Sequence, residues 1–340
     1  MNTIKVFFDR VSTMSFKRMF MMIRQIHKEH GKNPLFVFID MVVCALKDNI
    51  GYQDYRVFGF AKIPYKNRKT FLNMNKNLEL VNKVNSKKAY PVYRDKTLFF
   101  IRFKDFIKRD WINLNECTKE EFTAFCKNKE SIFAKVPCSF GGQGIGEVRI
   151  TSYTNFKSLY DTLIESGQTL IEEKIVQHEK MKALHPESLN TLRIVTLKNK
   201  GEINILYSLL RMGQQGSVID NVTSGGIYAP VNENGIITHP AFCDKTGEIL
   251  YTHPTTKHFI PGFKIPYYKE AIELVKAIAT AETDMNYIGW DIAITPSGPV
   301  IVEGNNVPTY EIMQNYAHRD DDIGLIPKIE KILGEKLKNY

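Results

Sequence analysis

Residues Trp290 to Asn306, WDIAITPSGPVIVEGNN, constrain the fold more tightly than any other stretch of the chain. Trp290 to Thr295 and Val300 to Val302 alternate and are rich in β-branched residues, which marks two strands. Between them, Pro296-Ser297-Gly298 suits a three-residue hairpin loop, with Pro at the first turn position and Gly in the left-handed conformation that follows. That loop sets Thr295 opposite Pro299 and hence Asp291 opposite Glu303. Asn305, two residues on, points the same way. Two acids and an amide converging on one sheet face repel each other unless a cation sits among them, and hard oxygen ligands of this kind suit Mg²⁺ shared with nucleotide phosphates. Three solvated side chains on an exposed strand fit the same pattern, and the hairpin alone leaves both readings open.

At 340 residues the chain has the length for two or three units, at roughly 150 residues per domain. Its five cysteines, Cys44, Cys117, Cys126, Cys138 and Cys243, are scattered with no CxxC pair, which fits free thiols rather than a disulfide framework or a zinc site. The opening MNTIKVFFDRVSTMSF has an early acid and no uninterrupted apolar core, so no signal peptide is expected. The longest apolar run, Leu35 to Leu46, contains Asp40 and is too short to span a bilayer. A cytoplasmic protein is the expectation. Net charge is +9, unevenly spread. Residues 1–110 hold 23 Lys/Arg against 9 Asp/Glu, and residues 111–340 hold 23 against 28. A basic front half implies an anionic partner such as nucleic acid, anionic lipid or an acidic polymer, with an evenly solvated basic surface as the plain alternative.

Residues 14–30 read as a helix in which Met and Phe alternate with basic positions. Core packing explains the Met stripe, with a membrane-surface or partner contact as the minority reading. Leu35 to Leu46 is apolar, and Tyr52 to Lys69 is rich in Tyr and Lys. From about residue 90 the texture becomes α+β. Strands are expected at Leu98–Ile101, Ser131–Val136, Glu147–Ile150, Thr169–Val176, Leu192–Leu197 and Ile203–Leu210. Helices are expected at Lys119–Lys127, Asn155–Ser166, Lys269–Glu282 and, shorter, within Leu325–Leu337.

Two further stretches carry chemistry. In AKVPCSFGGQGIGEV a strand ends in Lys135, and Gly141, Gly142, Gly144 and Gly146 lead to the next strand. Glycines let backbone N–H groups approach phosphate oxygens, and the preceding Lys adds a point charge. No Gly-Lys-Ser/Thr follows, so this is not a Walker A loop, and a plain structural loop is the alternative. In TLIEEKIVQHEKM an apolar strand runs into Glu172-Glu173-Lys174-Ile175, with Glu179 seven residues after Glu172. Such a linker between sheet layers offers adenine a carboxylate and two backbone groups, although acids at strand ends are more often simply solvated.

In this order the three stretches resemble the ATP-grasp superfamily. NTLRIVTL, RMG, DNVTSGGI and GWDIAIT…GPVIVEGN further resemble its sugar-transfer-associated branch, over roughly residues 50–315. The resemblance implies two α+β subdomains clasping ATP. Residues 91–170 would be the lid-bearing subdomain and residues 171–340 the catalytic one, behind a basic, partly helical region over residues 1–90. It further implies ATP and Mg²⁺ as cofactors. Lys96, Lys135, Gly141, Gly142, Gln143 and Gly144 would lie at the phosphates. Glu172 would accept from the adenine amino group, Glu173 and Ile175 would contact adenine through their backbones, and Glu179 would hold the ribose. Asp291, Glu303 and Asn305 would hold the metal.

Many relatives carry an Arg two residues before the first metal acid, where this chain has Gly289. Arg193 or Arg211 would then supply the charge and, with Lys135, the catalytic contacts. Asn190, Asp220, Asn221 and the Ser224-Gly225-Gly226 turn are candidates for the acceptor pocket, with a bare turn as the alternative. His253 and His258 form no metal centre, and Cys138 reads as a bystander thiol.

The implied activity is a carboxylate–amine ligase working through an acylphosphate, with a uronic acid or lipid-linked sugar and a small amine as partners in surface polysaccharide synthesis. The basic front region would allow a peripheral contact at the inner face of the membrane. A sugar or small-molecule kinase on the same fold is the nearest alternative. A basic nucleic-acid-binding protein is the other, weakened by the lack of any RNA- or DNA-binding motif.

Overall fold

Alternating strands build two antiparallel sheets, and the way their faces are covered decides where a site can form. The computed structural model describes residues 15–139, 143–214, 220, 222 and 225–337. The front is helical, with α1 (Phe16–His30), α2 (Pro34–Lys47), α3 (Tyr52–Phe58), α4 (Tyr65–Arg68), α5 (Met74–Val84), α6 (Tyr90–Arg94) and α7 (Lys96–Arg102). Next come β1 (Trp111–Asn113), α8 (Lys119–Cys126), β2 (Ser131–Lys135), β3 (Ile145–Arg149), α9 (Phe156–Glu165) and β4 (Leu170–Glu173). The remainder holds α10 (Glu179–Leu184), β5 (Thr191–Asn199), β6 (Glu202–Met212), β7 (Ile227–Val231), β8 (Ala241–Cys243) and β9 (Glu248–Leu250). It closes with α11 (Tyr268–Ala281), β10 (Tyr287–Thr295), β11 (Gly298–Asn305) and α12 (Ile326–Leu333). The strands form a four-stranded sheet, β1-β4-β2-β3, and a seven-stranded sheet, β11-β10-β5-β6-β7-β8-β9.

In the small sheet Ile132, Ala134 and Ile171 share a core with Phe122 of α8 and Leu159 and Leu163 of α9. Side chains alternate along a strand, so Phe133, Lys135 and Glu172 occupy the other face. The register confirms the grouping, with Phe133 paired to Glu172 across β2 and β4. The large sheet divides in the same way. Leu192, Ile194, Leu210, Trp290 and Ile292 pack on Ala271, Val275 and Ile278 of α11. On its opposite face, Val195, Leu197 and Tyr287 share a core with Met19 and Ile23 of α1, Val37 and Met41 of α2, Leu80 of α5 and Ile329 of α12. The front helices and the tail helix therefore cover the sheet face that also carries Asp291. Asn85, just past α5, ties them to β10: its side chain accepts from the backbone N–H of Asn286 at 2.9 Å and of Tyr287 at 2.8 Å.

Two expectations need correction. The hairpin loop has two residues, not three, because Thr295 pairs with Gly298 and Ile294 with Pro299. A bulge between Ile301 and Glu303 then inserts Val302 as an extra residue, and this restores Asp291 opposite Glu303. The site pairing is as expected, but it is reached by two offsetting one-residue shifts.

Leu98 to Ile101 is helix rather than strand. Asp95 caps it, accepting from Thr97 N at 2.8 Å and Leu98 N at 3.2 Å. Phe99 and Phe100 are buried while Leu98 and Ile101 face outward. A short apolar run fits either period, and here the cap and the aromatic contacts decide.

The α6–α7 corner lies directly on β11 at Gly304. A Cβ there would come within 2.8 Å of Phe99 Cε2 and 3.0 Å of Tyr93 Cε1. Gly304→Ala should therefore cost about 1–3 kcal/mol by overpacking, read as a lowered urea midpoint. A midpoint equal to that of the parent would show that the corner yields freely.

Candidate active site

A cavity of about 500 Å³ opens where the inward face of the small sheet meets the β10–β11 edge of the large one. Lys96, Lys135, Glu172, Glu173 and Ile175 line it together with Arg211, Asp220, Asp291, Glu303 and Asn305. The alternation of β2 and β4 aims Lys135 and Glu172 into it, while the α7 cap sets Lys96 at its rim.

Asp291 is nearly inaccessible to solvent and lies directly opposite Arg193 on β5. Arg193 grips it with two nitrogens, Nε on Oδ1 and Nη2 on Oδ2, the latter at 3.0 Å. Arg211 adds Nη2 on Oδ2 at 2.8 Å. Burial alone would raise the pKa of this carboxyl, but Arg193 and then Arg211 outweigh it and pull it down to about 2. Gly289 makes the geometry feasible, because a Cβ there would press on Arg193 Cδ at 3.2 Å. The guanidinium thus reaches Asp291 from the neighbouring strand across a position where a Cβ would crowd it.

Glu303 experiences the reverse balance. Burial first, and then the negative Asp291, push its pKa up, with Arg211 opposing. Asn305 Nδ2 is buried with no partner among the described residues. Hard carboxylate oxygens on Asp291 and Glu303 and an unengaged Asn305 amide fit a divalent cation. Asp291 would join such a cation only in competition with its guanidiniums. Among the described residues no three His, Cys, Asp or Glu side chains form a metal group, so any cation here would rest on two acids and an amide.

Glu172 is buried between two cations. Arg109 Nε donates to Oε2 at 2.7 Å, and Lys135 pairs with Oε1. Burial raises its pKa, but Arg109 and Lys135 prevail and hold it below the ordinary glutamate range. The carboxylate thereby places Lys135, and each of its oxygens keeps a second acceptor site for a donor such as an amino group. Lys96 donates to Ser139 Oγ at 3.2 Å, and burial lowers its pKa while nearby Glu303 raises it. Asp220 accepts from Thr191 N at 2.9 Å, and its pKa is raised by burial against the opposing pull of Arg211.

Other expected residues fall outside the cavity. Glu179 is exposed and paired with Lys182 at 2.6 Å. Arg193 stands behind Asp291, Gln143 is exposed, and Gly144 turns at φ +66 with its backbone against Val136. Asn190 is locked in a buried network, donating to Gln177 Oε1 at 3.0 Å and Met181 O at 2.9 Å. Gly141, Gly142, Asn221 and Ser224 lie outside the described residues.

Arg109 is a site residue that sequence reasoning misses. Besides holding Glu172, it donates through Nη1 to Ile301 O at 2.6 Å and lies over the Phe100 ring at 4.8 Å. It thereby joins the small sheet, the large sheet and α7. Its placement depends on the pairing of β1 with β4, and β1 is too short to announce itself in the sequence.

A family model described as sugar-transfer associated ATP-grasp matches residues 147–319. No curated protein matches the chain. Among solved structures, the D-alanine–D-alanine ligase of Bacillus anthracis is 14% identical with a TM-score of 0.37, covering 66% of this chain and 60% of that one. The D-alanyl-alanine synthetase A of Vibrio cholerae is 13% identical with a TM-score of 0.44, covering 73% and 67%. The N5-carboxyaminoimidazole synthetase of Staphylococcus aureus, complexed with ADP, is 14% identical with a TM-score of 0.43, covering 74% and 54%. This chain therefore spans about 60% of the length of the first of these neighbours.

Removing Arg193 leaves Asp291 buried with one weaker partner. Arg193→Met should cost about 3–5 kcal/mol in urea unfolding, and Arg193→Met/Asp291→Leu should recover part of that loss. Equal stability of parent and single variant would contradict the pairing. The pH dependence has a definite sign. With a folded pKa near 2 against an ordinary 3.8, Asp291 stabilises the fold above about pH 4, and that contribution is lost as pH falls towards 2. The parent's urea midpoint should drop in this window, and that of Arg193→Met should drop less.

Proposed function

This chain belongs to the sugar-transfer associated ATP-grasp family, and from that membership and the cavity between its sheets we propose that it is an ATP- and Mg²⁺-dependent carboxylate–amine ligase. The observation that carries the reading is the convergence of Lys96 and Lys135 with Arg211, Glu303 and Asn305 on one cavity. That arrangement suits a triphosphate beside the two lysines and a reacting carboxylate near Arg211.

In this reading adenine lies along the Glu173–Ile175 segment, and the phosphates extend towards Lys96 and Lys135. Glu303 and Asn305, with Asp291, would hold Mg²⁺, whose chemistry there is to neutralise phosphate charge. A substrate carboxylate oxygen attacks the γ-phosphorus and ADP departs, leaving an acylphosphate. The amine nitrogen then attacks the acyl carbon, phosphate leaves with the bonding pair, and the amine gives up a proton. Arg211 orients the carboxylate, while Arg193 keeps Asp291 ionised and in place. Arg109 and Glu172 hold the Lys135 ammonium towards the cavity. The residues catalyse by position and charge and need no covalent enzyme intermediate.

The acceptor is a sugar acid, a uronic acid amidated by an amino acid or amino alcohol during surface polysaccharide synthesis, with the enzyme working from the cytoplasm. The family's association with sugar transfer and the basic front half of the chain support this choice.

The test is ADP release screened against uronic acids with an amine pool, followed by the mass of the product. An amide formed only when both substrates are present is expected. A stable phosphoester formed without amine would replace the ligase by a kinase. Glu303→Gln should lower ADP release on the order of a hundredfold or more with an unchanged urea midpoint. It is a cleaner probe than Asp291→Asn, which also strips two guanidiniums of their partner. Full turnover in Glu303→Gln would remove Glu303 from the site.

A further inference from the structure

Helices α1 and α2 carry apolar side chains on both faces, although a helix at the surface of a soluble core needs them on only one. Inward, Met19, Ile23 and Ile26 of α1 and Val37, Met41 and Cys44 of α2 are buried in the core. Outward, Phe16 is 51% exposed, Phe20 50%, Leu35 63%, Phe36 70%, Ile39 49% and Leu46 49%. On α2 the outward residues recur at helical spacing along the whole length of the helix. Phe20 of α1 stacks on Phe38 of α2, a partly buried ring that itself packs on the core, with ring centroids 6.3 Å apart, so the outward side of α1 abuts α2. Several large apolar side chains clustered on one side of a protein mark a contact surface rather than scattered exposure.

The charges on the same two helices select the partner. Their acids are Glu29 and Asp40, and both are cancelled internally. Arg56 takes Glu29 at 2.7 Å, and Arg68 takes Asp40 at 2.8 Å. Asp40, which interrupts the apolar run in the sequence, is also held inward by the Tyr55 hydroxyl at 2.7 Å, so no acid interrupts the outward stripe. Lys17, Arg24, Lys28, Lys32 and Lys47 remain exposed.

We propose that the α1–α2 surface docks the protein on an anionic lipid bilayer, with Phe16, Phe20, Phe36 and Ile39 entering the interfacial region and the surrounding Lys and Arg side chains facing lipid headgroups. Phenylalanine and leucine flanked by basic residues are the composition that lies in a membrane interface. At 15 and 14 residues, α1 and α2 are too short to cross a bilayer of about 30 Å, so they lie in its surface. The docking is independent of the reaction catalysed and is read without nucleotide.

The test uses the full chain and vesicles of phosphatidylcholine with or without phosphatidylglycerol, scored by co-flotation. Binding to the phosphatidylglycerol vesicles alone is expected, and it should weaken with salt. Phe36→Ser/Ile39→Ser should abolish it. Lys17→Gln and Arg24→Gln should each lower the partition coefficient about fivefold. Phe36→Trp keeps the surface apolar and should show blue-shifted emission when phosphatidylglycerol vesicles are added. No flotation at low salt, or flotation unaffected by Phe36→Ser/Ile39→Ser, overturns the proposal. So does an unshifted Trp emission. A dimer that Phe36→Ser/Ile39→Ser disperses, with no vesicle binding by the parent, assigns the surface to a second copy of the chain instead.

Discussion

The Asp291–Arg193 pair is the contact on which the arrangement of the site depends. A carboxylate removed from water on the inner strand of a sheet is costly unless compensated, and two guanidiniums provide the compensation. The geometry that permits it extends outward from the pair. A Cβ at Gly289 would crowd Arg193, β10 must pair with β5 in the register that sets Asp291 against Arg193, and α1, α2, α5 and α12 must seal the sheet face beside them. A core built partly from the front of the chain and partly from its tail therefore supports the charge at the centre of the large sheet.

Two neighbouring carboxyls acquire opposite characters. The two guanidiniums hold Asp291 ionised against its burial, whereas burial and then the negative charge of Asp291 make Glu303 hold its proton more tightly.

Much of the large sheet is legible in the sequence because its strands alternate cleanly, and β5, β6, β10 and β11 can be read from period alone. Lys135 and Glu172 are legible for the same reason, since alternation fixes which face each one takes, whereas the expected pairing of Glu303 holds because a shorter turn and the Val302 bulge offset each other. What escapes is non-local. Phe99 and Phe100 look like strand residues until Asp95 is seen capping their helix. Arg109 acquires partners only through β1, three residues long and paired with a strand far along the chain. The outward stripe of α2 is hidden by Asp40, whose inward turn depends on Arg68 from another helix. Glu179 shows the opposite error, because spacing alone cannot say that a side chain at the start of α10 turns to its own helix rather than to the cavity.

The bulge at Val302 has a consequence beyond the register it restores. It lies between the reverse turn and the residues that face the cavity, so the two can change independently. Adding one residue to the loop after Thr295 while deleting Val302 would return the hairpin to a regular ladder and still leave Asp291 across from Glu303. Chains of the same ancestry could therefore exchange a short turn with a bulge for a longer turn without one, and an alignment would place the difference in the loop although the chemistry had not moved. The spacing between the two acids is in that sense a better guide to their pairing than the strict alternation of the strand on which Glu303 sits.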